Sequence, residues 1–410
     1  MIFMAVISAL GIATILTFII LNPPTLDTFL THPAFPSALG VNVLVGSAIV
    51  LFGMQNGVGG SIRILLTVGV ALLIGFVLLS ALAPDPVKAF TALITGPLSR
   101  LNRWGNFWLR DAISLMLAGL ALAIVFKARL FSLGAEGQIV LAALASGLTV
   151  LALPTLPQGL IIPIAVGVGC LVAFLWGALP GILRAYLDAD ELVSTLMLNQ
   201  IAALIYSLIL NAIKPPTAGY TVSPPFPATS IFPRFMPSTN LTTVIGYTVI
   251  AVIAAWILVQ RTPFGYALRM VGANPEFARY GGINTKRTIW LTVAISGAFA
   301  GVAGAYLSMS VHRQLILNIS GGLAFEGVVV ALLARNNVLA VPAMALLYAY
   351  LRAGGEIMQT DANVSHEIVR VIQAIIILLV TAEALGTLFK GWWSRRRSVP
   401  LGTAVPAKGA

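Results

Sequence analysis

The sequence predicts an all-helical, polytopic membrane protein, and three observations carry that prediction. Of its 410 residues, 59% are hydrophobic and 9% charged, against about 25% charged in a soluble globular protein. Mean hydropathy is +0.97, and the apolar residues fall in runs near the ~20 residues that a helix needs to cross a hydrocarbon core. The net charge of +11 lies mostly in the loops between those runs. That is the distribution of arginines and lysines holding loops on the cytoplasmic face, so no nucleic-acid partner is expected.

Spans are expected at 2–21, 38–54, 62–83, 111–126, 137–153, 160–183, 192–212, 241–260, 289–309, 322–334, 336–351 and 367–389. The first lacks a positive n-region and a small-residue cleavage site and reads as a retained helix. Runs 38–54 and 322–334 are the shortest. Between the third and fourth spans, DPVKAF with Trp104 and Trp108 reads as an interfacial amphipathic stretch. Residues 213–240 are proline-rich with Tyr220, Phe226, Phe232 and Phe235; they read as a rigid outer loop that caps helices, with contact to a partner as the other reading. With both termini cytoplasmic, 15 of the 24 lysines and arginines face inward and 9 outward, which favours that orientation. The tail, Trp392-Trp393-Ser394-Arg395-Arg396-Arg397, reads as an interfacial aromatic pair and a basic anchor.

Polar residues within the spans are few and mild. Acids gather at helix starts (Glu136, Glu191, Glu326), where the helix dipole and free amides stabilise a carboxylate by roughly 0.3–1 kcal/mol. Thr195 and Asn199, four apart, share one face of their helix, and Gln138 lies one turn into its own. These three either line a path for a neutral, hydroxyl-rich solute or tie helices together by hydrogen bonds. Small residues recur through 296–305, as close helix contact requires. Glu136-Gly137 and Glu326-Gly327 open two helices five spans apart and opposite in direction, a faint inverted repeat of the kind transporters use.

Reactive chemistry is sparse. No lysine is followed by Ser or Thr, so the chain has no P-loop and is not itself an ATPase. Nor does it carry a zinc-protease motif or a nucleophile elbow, and an enzyme is not expected. The lone Cys170 has no disulfide partner, and the three histidines (His32, His312, His366) lack ligand-spaced neighbours, so no metal site is expected.

The most informative segment is 261–287, RTPFGYALRMVGANPEFARYGGINTKR. Five cations (Arg261, Arg269, Arg279, Lys286, Arg287) accompany one acid, Glu276, which keeps the segment cytoplasmic. Asn274-Pro275-Glu276 reads as an N-cap, a first-position proline and a first-turn acid, and Gly281-Gly282 stops the helix. A short capped helix against the inner surface suits a push from a soluble partner; an ordinary cytoplasmic loop with a helical turn is the alternative.

Several stretches together resemble the permease subunits of bacterial ATP-binding-cassette (ABC) importers, in the branch for nucleosides and simple sugars. They are LFSLGAEGQIVLAALAS (131–147), ADELVSTLMLNQIA (189–202), TPFGYALRMVGANPEFARYGGIN (262–284), ISGAFAGVAGAYL (295–307) and AFEGVVVALLARNN (324–337). The resemblance implies about ten core helices in two inverted halves, over a permease domain at 61–390. Block 1–60 then adds about two further helices, and 391–410 forms a basic cytoplasmic tail. The chain departs from the family pattern in block 1–60, and at Ala334 and Val338, where glycine and proline are expected. The resemblance further implies a coupling segment formed by Arg269, Asn274, Glu276, Phe277, Arg279, Tyr280 and Gly281, docking on a separate ATPase subunit that binds the ATP. It implies a second permease copy or paralogue and an extracytoplasmic solute-binding protein as partners, in the lipid of a bacterial inner membrane. A branched-chain amino-acid permease, a stand-alone secondary transporter and an assembly subunit without a solute path are the alternatives.

Overall fold

The computed structural model describes residues 76–375, except 78, 81–84, 100–103, 217–218, 235–241, 366 and 372. The expected spans 2–21 and 38–54, most of 62–83 and 367–389, block 1–60 and the tail lie outside the described residues. Besides further helical residues at 76–77, 79–80, 367–371 and 373–375, the chain forms within them eleven α-helices with both ends described, and no strand. They are α1 (Pro86–Thr95), α2 (Leu109–Lys127), α3 (Ala135–Ala152), α4 (Gln158–Leu187), α5 (Glu191–Ile213), α6 (Val244–Arg261), α7 (Pro263–Ala273), α8 (Pro275–Tyr280), α9 (Thr285–Tyr306), α10 (Leu323–Leu333) and α11 (Val341–Ala362). A π-helical turn, Trp104–Trp108, leads into α2, and another, Leu307–His312, extends α9.

Six of these helices, α2 to α6 and α9 with its extension, are long and apolar enough to cross a membrane. The expected spans 111–126, 137–153, 160–183, 192–212, 241–260 and 289–309 coincide with them. Their ends are set by local chemistry. Asp190 caps α5, accepting the N–H groups of Leu192 and Val193 at 2.9 and 3.0 Å. Asp188 closes α4 in the left-handed region.

Two expected spans differ. α10 has 11 residues, a rise of roughly 16 Å, about half of a hydrocarbon core; it is a half-length helix rather than a crossing. The run expected at 336–351 becomes a helix that starts at Val341 and continues to Ala362. Arg335 and Asn336 take left-handed backbone before it, which delays its start. Its charged C-terminal half, with Arg352 and Glu356, is held by ion pairs that hydropathy cannot register.

Small residues bring the helices together. A Cβ on Gly297 would lie 2.2 Å from the Ala173 carbonyl oxygen, one on Gly301 2.5 Å from Cys170 Cα, and one on Gly181 2.8 Å from Trp290 Cα. As the residue number rises along α9 it falls along α4, so the two helices cross antiparallel, backbone against backbone. Gly304 meets α3 in the same way, 2.4 Å from the Ile139 oxygen. α2 runs through the middle of the fold, with Leu115, Leu117, Leu120 and Ile124 fully buried.

The described parts of the 84–110 stretch that carry α1 and Trp108 pack into the protein. α1 buries Ala89, Ala92 and Leu93, and a Cβ on Gly354 of α11 would reach the Leu93 oxygen at 2.3 Å. Trp108 is buried rather than interfacial: its indole N–H donates to the Leu346 carbonyl at 2.9 Å, and its ring packs edge-on against Tyr350. The described part of the proline-rich loop lies against residues 313–315, just past the end of the α9 extension. Ser223 and Phe226 donate their N–H groups to the Leu315 and Arg313 carbonyls at 2.9 and 3.1 Å, and Phe226 and Phe232 are buried.

Candidate functional site

Three features concentrate polar chemistry in this apolar body. The first is the α7–α8 knuckle. Thr262 caps α7 and Asn274 caps α8, accepting the Gly265 and Phe277 N–H groups at 3.0 Å each. Pro275 stands at the first helical position, Glu276 in the first turn and Arg279 in the last, each where the dipole favours it. The helix ends at Gly281, but the left-handed residue is Gly282, with φ of +79°. Ala278 is buried against the body, while Phe277 and Tyr280 point outward, 62% and 91% exposed. Arg269 turns back, donating to the Val259 carbonyl and, at 3.4 Å, to Gln260 Oε1, so its guanidinium fastens α7 to the end of α6.

The knuckle shares one end of the bundle with other cations. A Cβ on Gly272 would touch the Lys127 carbonyl at 2.3 Å, and Lys286 Nζ sits 5.4 Å from the Tyr186 ring centroid at the end of α4.

The second feature lies where α3, α5 and α10 meet. Glu136, in the first turn of α3, accepts the Gly322 N–H at 3.2 Å and the Ala324 N–H at 3.0 Å, and also the Ser320 hydroxyl. It therefore caps α10, whose N-cap Gly322 has φ of +82°, a conformation that glycine adopts without strain. α5 in turn holds the approach to α3. Glu191 accepts the Phe131 N–H at 2.9 Å and pairs with Arg184 at 3.5 Å. Thr195 accepts the Leu133 N–H at 3.3 Å; Asn199 accepts the Gly137 N–H and donates to the Leu133 carbonyl, both at 2.9 Å.

Beside this junction is a cavity of about 390 Å³ whose lining includes Glu136, Asn199, Gln200, Tyr206, Asn318 and Phe325. Gln138 points elsewhere. It is buried beside α4, with its Nε2 2.6 Å from where a Gly177 Cβ would stand and its Oε1 without a hydrogen-bond partner. Thr195 is buried beneath the loop that it holds and does not line the cavity.

The third feature is an ion cluster around Arg352. Its guanidinium pairs with Glu326 of α10, with Asp111 of α2 at 3.4 Å and with Glu356 of α11 at 3.7 Å. Arg110 adds a contact to Asp111 at 3.1 Å. A second cavity of about 390 Å³ opens against Glu326, Arg352 and Glu356. Sequence reasoning missed this cluster, because Asp111 and Arg352 look like span-end charges; it also missed Ser320, Asn318, Gln200 and Tyr206. The only local signal was the Gly321-Gly322 pair, which marks a tight turn before α10. Among the described residues no group of His, Cys, Asp or Glu is placed to hold a metal ion.

Residues 106–381 match the model of a family described as the permease component of a branched-chain amino acid transport system. The glucose ABC transporter permease protein TsgB13 of Haloferax volcanii is 32% identical, over 78% of this chain and 86% of the relative. The nucleoside ABC transporter permease protein NupB of Lactococcus lactis is 30% identical, over 76% of this chain and 88% of the relative. For the guanosine ABC transporter permease protein NupP of Bacillus subtilis the figures are 29%, 72% and 86%. The capped knuckle, the helical body and the matched stretch from 106 to 381 thus converge: the chain belongs to this family of ABC transporter permease components.

Proposed function

We propose that this chain is the membrane-embedded subunit of an ATP-driven importer, translocating a nucleoside or simple sugar delivered by an extracytoplasmic binding protein. It works as a pair of permeases, in the plasma membrane with both termini cytoplasmic, and a separate ATPase supplies the energy. The observation that carries this reading is α8: a six-residue helix, capped at its start, that buries Ala278 while presenting Phe277 and Tyr280 to solvent. Exposed aromatics on a rigid, cation-flanked projection form an anchor for a soluble partner. Asn274, Glu276, Arg279 and Gly281 shape the projection, and Arg269 fixes its base.

The relatives named for glucose, nucleosides and guanosine support the choice of solute over branched-chain amino acids. A secondary transporter needs ionisable groups free to exchange protons or ions along its path. Here Glu136 and Glu326 are engaged in helix capping and ion pairing.

The test is reconstitution. A Phe277→Ala, Tyr280→Ala double variant should lose ATPase co-purification and at least 10-fold of ATP-dependent uptake. Wild-type assembly and uptake in that variant would overturn the assignment of α8. Uptake driven by a proton or sodium gradient without ATP would overturn the importer.

A further inference from the structure

Going beyond the permease reading, and needing only that α6 crosses the bilayer, we infer that the elbow between α6 and α7 binds an anionic phospholipid. Arg261 takes the phosphate of the headgroup, and the exposed face of α6 receives an acyl chain.

The elbow carries both halves of such a site in register. Ile250, Ile253 and Ile257 are 66%, 51% and 44% exposed, and spacings of three and four put them on one helical face. Arg261, four residues past Ile257, continues that face in the last turn of α6. α6 is long and apolar enough to cross a membrane, so its last turn stands at the depth where acyl chains give way to phosphates. The half-buried Trp256 lies under the Arg261 guanidinium, with Cζ 5.4 Å from the ring centroid. Tyr266, 55% exposed, follows near the start of α7. Tryptophan and tyrosine rings favour the interface, and an aromatic face steadies a cation without neutralising it.

The charge of Arg261 is unanswered within the protein. Among the described residues it makes no ion pair and no hydrogen bond. Between Glu191 and Glu276 the sequence holds no acid, so neither α6 nor α7 supplies one. Arg269 adds a second positive charge at the same elbow, its guanidinium directed at the Val259 carbonyl and Gln260. A guanidinium presents paired N–H donors that match a phosphate.

The isoleucine face decides for a lipid over a soluble protein. A partner seated on Arg261 must also cover that face, and the face belongs to a membrane-crossing helix. The aromatics of the knuckle, Phe277 and Tyr280, stand one helix further along the chain. α7 is folded tightly onto the end of α6: a Cβ on Gly265 would lie 2.3 Å from the Leu258 and Val259 oxygens. The lipid therefore grips the base from which α7 and α8 project.

Trp256 reports the lipid directly, because bromine quenches indole fluorescence on contact. The full-length permease is reconstituted in phosphatidylcholine vesicles whose minor lipid is brominated phosphatidylglycerol or, in parallel, brominated phosphatidylcholine. The chain has seven tryptophans, so the Trp256 signal is the difference between wild type and Trp256→Phe. Phosphatidylglycerol should quench that signal several-fold more strongly than phosphatidylcholine, and high salt should narrow the gap. Arg261→Gln should weaken the preference roughly five-fold, the weight of one juxtamembrane charge at an anionic surface, and Arg261→Lys should keep most of it. Equal quenching of wild type by the two lipids would overturn the site, with no variant needed. Displacement of the phosphatidylglycerol by soluble glycerol phosphate would overturn it in favour of a free phosphate ester. Displacement by the ATPase subunit, or loss of ATPase co-purification in Arg261→Gln, would overturn it in favour of that partner. None of these outcomes bears on ATP-dependent uptake, whose absence from the wild-type complex would overturn the permease reading alone.

Discussion

Glu136 and Ala324 are 188 residues apart, and the carboxylate of one accepts the backbone N–H of the other at 3.0 Å. This bond joins the start of α3 to the start of α10. The first N–H groups of a half-length helix have no partner within the helix, and at its start within the protein they require one. Glu136 supplies it, and its negative charge suits the positive end of the α10 dipole. The two helices of the faint inverted repeat therefore meet at their N-termini.

Removing that carboxylate should loosen α10. Hydrogen bonds to charged groups contribute roughly 1.5–3 kcal/mol. Glu136→Ala should therefore destabilise the purified permease by an amount in that range, and Glu136→Gln, which keeps an acceptor of similar shape, by less. Thermal unfolding in detergent measures both. Equal stability of Glu136→Ala and wild type would show that α10 is held by other means.

The α4–α9 seam should tolerate no added carbon. A Cβ on Gly297 would sit 2.2 Å from a backbone oxygen, which no rotamer change relieves. Gly297→Ala should cost about 1–3 kcal/mol as the helices separate, whereas Gly167→Ala on the open side of α4, where nothing lies within 4 Å, should be neutral or mildly stabilising. Thermal midpoints of the two variants make the comparison.

Arg352 should be more costly to lose alone than together with its partners. Arg352→Ala leaves Asp111, whose side chain is 9% exposed, without its partner on α11, and leaves Glu326 unpaired as well; uncompensated buried charge is strongly destabilising. The triple variant Arg352→Ala, Asp111→Asn, Glu326→Gln should recover much of the loss. A triple variant no more stable than the single one would show that the cluster is not held by charge.

Asn274 should matter through its cap. Replacing an N-cap Asn by Ala costs about 1 kcal/mol, which in a six-residue helix is enough to fray it. Asn274→Ala should lower coupled uptake and ATPase stimulation several-fold, and Asn274→Asp or Asn274→Ser should restore both. Failure of Asp and Ser to rescue would mean that the Asn side chain acts on the ATPase directly.

Much of the architecture was legible because its causes are local. Hydropathy over about 20 residues located α2 to α6 and α9, and Asn274-Pro275 with Gly281-Gly282 bounded α8 to the residue. The same reasoning failed at α11, where a window of hydropathy penalises Arg352 and Glu356 without knowing that they pair. It stopped short at Thr195 and Asn199, because four-residue spacing puts two side chains on one face without saying what they meet; they meet Leu133 and Gly137.

The sequence by itself determined a strongly apolar helical body, cap chemistry for a short helix at 275–280 among cations, and no P-loop of its own. Composition and cap chemistry act within a few residues, and they are written in the chain wherever it is read. Only the tertiary structure decided that Glu136 closes the start of α10, that Arg352 gathers acids from three helices, and that a cavity lined in part by Glu136 and Asn199 lies beside α5. Those contacts join residues up to 241 positions apart, and no local pattern specifies which distant helix supplies the partner for a buried polar group.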